Sequence, residues 1–232
     1  MLKQSPVSKR ILYEDNHLIV VNKLPSEIVQ GDKTGDFPLS EKVKAYLKKK
    51  YNKPGNVFTG VIHRLDRPVS GLVVFAKTGK ALSRMNDLIK NRKIKKTYWA
   101  VVKNKPKEKE ATLTHFLVRN EKKNKSFVSA KKQADSKEAI LSYRLITSSK
   151  DYHLLEVDLQ TGRHHQIRAQ LAAIGCPIKG DLKYGYSRSN KNASISLHAR
   201  SVSFIHPVKK ELLKIIAPPP DDVLWRFFTE KV

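Results

Sequence analysis

Cysteine is nearly absent: Cys176 is the only one in 232 residues. The chain therefore closes no disulfide within itself and builds no multi-cysteine zinc site, which fits a reducing compartment. Acidic residues are scarce too. Against 46 Lys and Arg stand 21 Asp and Glu, a formal net charge of +25. That balance favours a polyanionic partner, nucleic acid first and an anionic membrane surface second. No apolar run approaches the roughly 20 residues of a membrane-spanning helix. The opening MLKQSPVSKR lacks the apolar core of a secretory signal. The expectation is a soluble cytoplasmic protein. With 40% hydrophobic residues the chain can bury a sizeable core.

What is there reads mostly as strands. Ile11 to Glu14 and Leu18 to Asn22 form a hairpin around Asp15-Asn16-His17, and Lys23 to Asp36 is a loop. Ser40 has the character of an N-cap for a helix to about Tyr51, with Val43, Tyr46 and Leu47 on one face and Lys48 to Lys50 at its end. Ala81, Leu82, Met85, Leu88 and Ile89 recur at helical spacing. A basic stretch, Lys90 to Lys96, feeds Tyr98-Trp99-Ala100-Val101-Val102, a strand in which Trp99 reads as core. Further strands follow at Thr112 to Val118, Ala139 to Ile146 and Tyr152 to Leu159. Glu121 to Lys132, with five lysines, reads as a flexible basic hairpin or arm. Thr161-Gly162 turns the chain into a helix with Ile167, Leu171 and Ile174 buried, stopped by Gly175 and Pro177. Ile195 to Ile205 and Leu212 to Ala217 are the last strands, and Val223 to Phe228 a terminal helix. With no repeat and no clear linker, residues 1–232 read as a single domain. The fold class is α+β, a mixed, mainly antiparallel β-sheet flanked by helices and loops.

The chemistry concentrates at VIHRLDRPVSGLVVFAKT, Val61 to Thr78. Two buried apolar runs flank a polar loop holding His63, Arg64, Asp66, Arg67 and Ser70. Strands of this kind fix a loop's backbone while its side chains stay accessible. HRLD is not the kinase catalytic sequence, which orders the residues H-R-D-L and comes with a Gly-rich loop, D-F-G and A-P-E, all missing here. His63, Asp66 and Ser70 lie too close on one loop for a nucleophilic triad. Arg64 and Arg163 adjoin the histidines His63, His164 and His165 and oppose a metal cation there. The remaining reading is a lone carboxylate, Asp66, among arginines that favour its ionised form. Such a group serves as nucleophile or base at a sugar carbon. With a polyanion-binding surface, the substrate indicated is a nucleotide within a nucleic acid.

Two long stretches, HRLDRPVSGLVVFAKT and LQTGRHHQIRAQLAAIGCPIKGDLKYG at Leu159 to Gly185, resemble the signatures of the RluA family of RNA pseudouridine synthases. LIVVNKL, KKTYWAVV and LHARSVSFIHPVKKE resemble its shorter motifs, in the same order. The resemblance implies the pseudouridine synthase fold. It also implies an isomerase that breaks the N1–C1′ bond of a uridine, rotates the uracil and rejoins it through C5, with no cofactor and no metal. It makes Asp66 the catalytic carboxylate, and Tyr98 the ring that stacks on the uracil and takes its C5 proton. Arg168 would pair with Asp66 and keep it ionised. Arg64 would contact the space the target nucleotide leaves, and Ile167 would wall the uracil pocket. His63, Arg67, Lys95 and Lys96 would complete the RNA-binding set. RNA, ribosomal or transfer, is the implied partner, and the chain is expected to be the catalytic domain without the extra N-terminal RNA-binding domain of many relatives. With no heptad repeat and no dimer stripe visible, a monomer is expected. The rival reading is a non-catalytic RNA-binding protein that keeps the fold. The chain departs from the family at Val69, at His164 and at Leu24-Pro25-Ser26, where K-P-x-G is usual; the last puts the role of that loop in question.

Overall fold

The computed structural model describes residues 5–32, 34–129 and 131–232. Positions 33 and 130, which fall in the loop after Lys23 and in the basic arm, lie outside the described residues, as do 1–4. In chain order the elements are β1 (Ile11–Glu14), β2 (Leu18–Lys23), α1 (Leu39–Lys50), β3 (Gly60–Val61), β4 (Ser70–Ala76), α2 (Gly79–Lys90), β5 (Lys95–Val102), β6 (Glu110–Asn120), β7 (Lys125–Ser129), β8 (Lys137–Ser148), β9 (His153–Leu159), α3 (Gln166–Ala173), β10 (Leu197–Ile205), β11 (Leu212–Ile216) and α4 (Val223–Thr229). They form two compact units, Met1–Ile94 with Ser201–Pro218, and Lys95–Arg200 with Pro219–Val232. The fold is α+β with mainly antiparallel strand pairing.

In the first unit β2 lies between β1 and β4, antiparallel to both, and the β2–β4 register runs from Leu18↔Ala76 to Lys23↔Gly71. Leu18 to Val21 and all of β4 are buried on both faces, which is why neither strand shows the alternation of a half-exposed one. Ile19, Val21, Val73 and Phe75 pack against Leu39, Val43 and Leu47 of α1. Ser40 is not the N-cap of α1: the helix begins at Leu39 after Pro38 and has no side-chain cap. The carbonyls of Ile28 and Val29 accept from the N–H groups of Leu39 and Ser40, so two of the otherwise unpaired donors at this helix start are satisfied by the preceding loop. The start of α2 follows the local rule, with Thr78 Oγ1 accepting from Ala81 N.

In the second unit β5 pairs with β9, β9 with β8, β8 with β6 and β6 with β7, each pair antiparallel. The basic arm is thus the β6–β7 hairpin, with a turn at 121–124. Trp99 is core: with Val101 and Leu154 it packs against Trp225 and Phe228 of α4. Asp222 caps α4, its Oδ1 accepting from Leu224 N and Trp225 N at 3.0 Å each. Asp222→Ala is expected to cost about 1 kcal/mol of stability, a fall of about 2–4 °C in the melting midpoint of a chain this size. Thermal melting followed by circular dichroism checks this, and an unchanged midpoint would show that the cap contributes nothing.

Candidate active site

In the first unit, His63, Arg64, Asp66 and Arg67 share the loop between β3 and β4. The loop is held by its backbone. Val69 N donates to Asp66 O at 3.1 Å, closing a tight turn over Arg67-Pro68. Ser26 N donates to Arg67 O at 2.9 Å. Val74 N donates to His63 Nε2 at 3.2 Å, so His63 fastens the loop's entry to β4. Leu65 packs into the core below, while Arg64 and Arg67 are exposed and Asp66 is half-buried. Arg67 pairs with Asp36 and donates to Thr34 Oγ1 at 2.8 Å.

The main fastening of this loop is Lys23, which the sequence puts at the start of the loop to Asp36 and the structure makes the last residue of β2. Its side chain is fully buried at the end of β2. Nζ donates to the carbonyls of Val69 (2.6 Å), Leu24 (3.0 Å) and Arg67 (3.1 Å). An ammonium satisfies all three with its three protons; a neutral amine satisfies two. Burial pushes Lys23 down to about 7, against the opposing pull of Glu27 and then Asp66. Glu27, itself buried, accepts from Arg10, Lys42 and Leu24 N. Its own burial pushes its carboxyl up, but the bonds from Arg10 and Lys42 outweigh that and hold it below the usual range. The sequence signal for Lys23 was faint: a lysine closing the apolar run LIVVN, in phase with its buried residues.

The second unit carries the other predicted residues. Tyr98 is on β5, buried at 7% exposure and paired in register with Val157. Lys96 shares the face of Tyr98 by the two-residue period of the strand. Lys96 is half-buried, its amine is pushed down by burial, and it lies over the Gly162 backbone: a Cβ at 162 would meet Lys96 Nζ at 3.7 Å. Lys95 is exposed. Ile167 and Arg168 are buried in the first turn of α3. That helix starts at Gln166, not at the Thr161-Gly162 turn. His165 is in the left-handed conformation (φ 54) and delays the helix, while Gln166 Oε1 accepts from Thr161 Oγ1 and Arg163 N.

Arg168 is grasped by Asp181, in the loop after α3. Its Nε and Nη2 donate to the two carboxylate oxygens of Asp181 at 2.7 and 2.8 Å. Its Cζ lies 5.0 Å from the centre of the Tyr184 ring. The only sequence signal for Asp181 was its place inside the GDLKYG stretch of the longer signature. His164 and His165 stack on each other and bond Ser126 and Tyr184 through Nδ1. Among the described residues, no group of three or more His, Cys, Asp or Glu could hold a metal ion, and no helix is long and apolar enough to cross a membrane.

This arrangement offers a clamped loop presenting a carboxylate in one unit, and a buried tyrosine and a braced arginine in the other. The sequence model of the RNA pseudouridylate synthase family matches residues 17–173. An uncharacterized RNA pseudouridine synthase of Synechocystis is 32% identical over 214 residues, 90% of this chain and 65% of that protein. The ribosomal large subunit pseudouridine synthase D of Zymomonas mobilis is 31% identical over 92% of this chain and 70% of its own length. The chain therefore spans about two thirds of these relatives. Human RNA pseudouridylate synthase domain containing 4 shares the fold, with a TM-score of 0.81 at 22% identity over 97% of this chain and 92% of that one. A family match across residues 17–173, joined by relatives more than 30% identical along nine tenths of its length, makes this chain a member of the RNA pseudouridylate synthase family, whose enzymes are isomerases.

Proposed function

We propose that this protein converts a uridine of structured RNA, ribosomal or transfer, into pseudouridine, with Asp66 as the catalytic carboxylate. The observation that carries this reading is the loop of Asp66: a half-buried carboxylate on a backbone tied down by the buried Lys23 Nζ and by the Asp66–Val69 turn. Catalysis at a sugar carbon needs such fixing, because a carboxylate that drifts loses the alignment on which the rate depends. Asp66 acts at the ribose, by attack on C1′ or by removing the C2′ proton. The N1–C1′ bond breaks, the uracil turns, C5 bonds to C1′, and the C5 proton leaves while N1 takes one up. Tyr98 stacks on the ring, and its phenol oxygen takes the C5 proton as it passes its own hydroxyl proton on, so that the proton lost from C5 is matched by the one N1 takes up. Ile167 walls the ring, and Arg168 keeps Asp66 ionised. The uridine leaves its stack to reach these groups. Arg64 occupies the space it vacates, and His63, Arg67, Lys95 and Lys96 help hold the strand. The net charge of +25 supplies the general attraction to phosphate. The relative named for the large ribosomal subunit supports ribosomal RNA as the first substrate to try.

The reaction has a direct readout, because C5 loses its hydrogen only when the new bond forms. Unmodified ribosomal and transfer RNAs made with uridine tritiated at C5 should release tritium to water in step with pseudouridine formed. RNA binding without tritium release on every such RNA would favour the non-catalytic protein instead.

A further inference from the structure

We infer that Asp181 is a positioning residue for catalysis: its carboxylate sets the plane and place of the Arg168 guanidinium. This rests on the role proposed for Arg168 above. The contact is two-pointed, Nε and Nη2 of Arg168 on the two oxygens of Asp181, which fixes orientation as well as distance. Both side chains are buried, 6% and 1% exposed. Among the described residues, Arg168 is the side chain to which the carboxylate of Asp181 bonds. The ring of Tyr184 lies 5.0 Å from the guanidinium carbon, and its hydroxyl is held by Ser126 and His165.

The loop carrying Asp181 is built to be rigid. Asp181 N donates to Ile178 O, and Asp181 O accepts from Tyr184 N and Tyr186 N. Gly180 has φ +87, and a Cβ there would meet the Asn190 side chain and Ser194 O at 2.8 Å, so only glycine fits before the aspartate. Lys179 N donates to Val101 O at 2.9 Å, which fastens the loop to β5, the strand of Tyr98. The brace of Arg168 and the phenol of Tyr98 are thus anchored on one strand.

Engagement through Nε and one Nη uses one edge of the planar guanidinium fork. The adjacent edge, made by the two Nη groups, is the one that meets a second carboxylate side-on. A brace on the first edge aims the second. It also moderates the cation, since Asp181 offsets part of the charge that the catalytic carboxylate feels.

The test compares wild type, Asp181→Ala and Asp181→Asn for kcat, KM for RNA, pH profile and melting. Asp181→Ala should lower kcat by about 100-fold, the scale of a misplacement of about 1 Å, with KM within about threefold. Asp181→Asn keeps an acceptor for Nε and loses the charge. It should lose less, about tenfold, and its acid limb should move to lower pH, because an unopposed Arg168 holds the catalytic carboxylate ionised further down. An inactive wild type sinks the functional reading itself. With an active wild type, the role of Asp181 is overturned by wild-type kcat in both variants, by kcat and RNA affinity falling together, or by both variants unfolding at the assay temperature.

Discussion

Asp66→Asn is expected to bind RNA like the wild type and to form pseudouridine about 10⁴-fold more slowly, or not at all. The amide matches the carboxylate in shape. It can neither attack C1′ nor take the C2′ proton, so both routes open to Asp66 close together. Affinity should barely change. Removing one negative charge from a chain of net charge +25 leaves its attraction to phosphate essentially as it was. The backbone fastenings of the loop, from Val69 N, Ser26 N and Lys23 Nζ, do not involve the side chain replaced. Tritium release and filter binding on the same RNA make the comparison. Release within tenfold of wild type would mean that another group supplies the carboxylate chemistry.

The loop of Asp66 was legible because its logic is local: two apolar runs, a proline, a glycine and four charged or titratable side chains lie within one stretch. The face of α2 was legible for the same reason, with apolar residues at helical spacing; its Thr78 cap is seen only in the structure. The start of α1 was not. The donors of Leu39 and Ser40 find carbonyls in the loop at 28 and 29, an arrangement that no pattern around Ser40 encodes. The basic arm showed its lysines and its hairpin but not which side chains it buries. As β7 it turns Ser126 and Val128 inward, where Ser126 meets the Tyr184 hydroxyl and Val128 packs beside Leu117 and Tyr184. Arg168 stood out from its signature, while Asp181 did not. An aspartate after a glycine reads as a turn residue until the guanidinium 13 positions earlier is seen on it. Side chains that act from within one element declare themselves in sequence; those that brace another element do so only by where the fold carries them.

Lys23 is the sharpest case, and Lys23→Met is the second large effect expected. Methionine fills much the same volume and donates nothing, so the carbonyls of Leu24 and Val69 lose the donor they share, and Arg67 O keeps only Ser26 N. A buried acceptor left unsatisfied costs about 1–3 kcal/mol. The variant also escapes the burial of a charge, so the net loss depends on pH. In the folded protein Lys23 titrates near 7, against 10.5 in the open chain. Between those values the unfolded chain holds a proton that the folded one has shed. Wild-type stability therefore rises with pH across that window, by about 1.4 kcal/mol per pH unit from this group alone, and the burial penalty is complete below it. Methionine has no such slope. The variant should lie closest to wild type in stability below pH 7 and fall progressively behind toward pH 10. At every pH its kcat should drop more than its RNA affinity, because the loop presenting Asp66 has lost its main fastening. Denaturant melts of both proteins from pH 6 to pH 10 measure the first effect, and tritium release the second. Parallel stability curves with undiminished kcat would show that the catalytic loop holds its shape without the buried lysine.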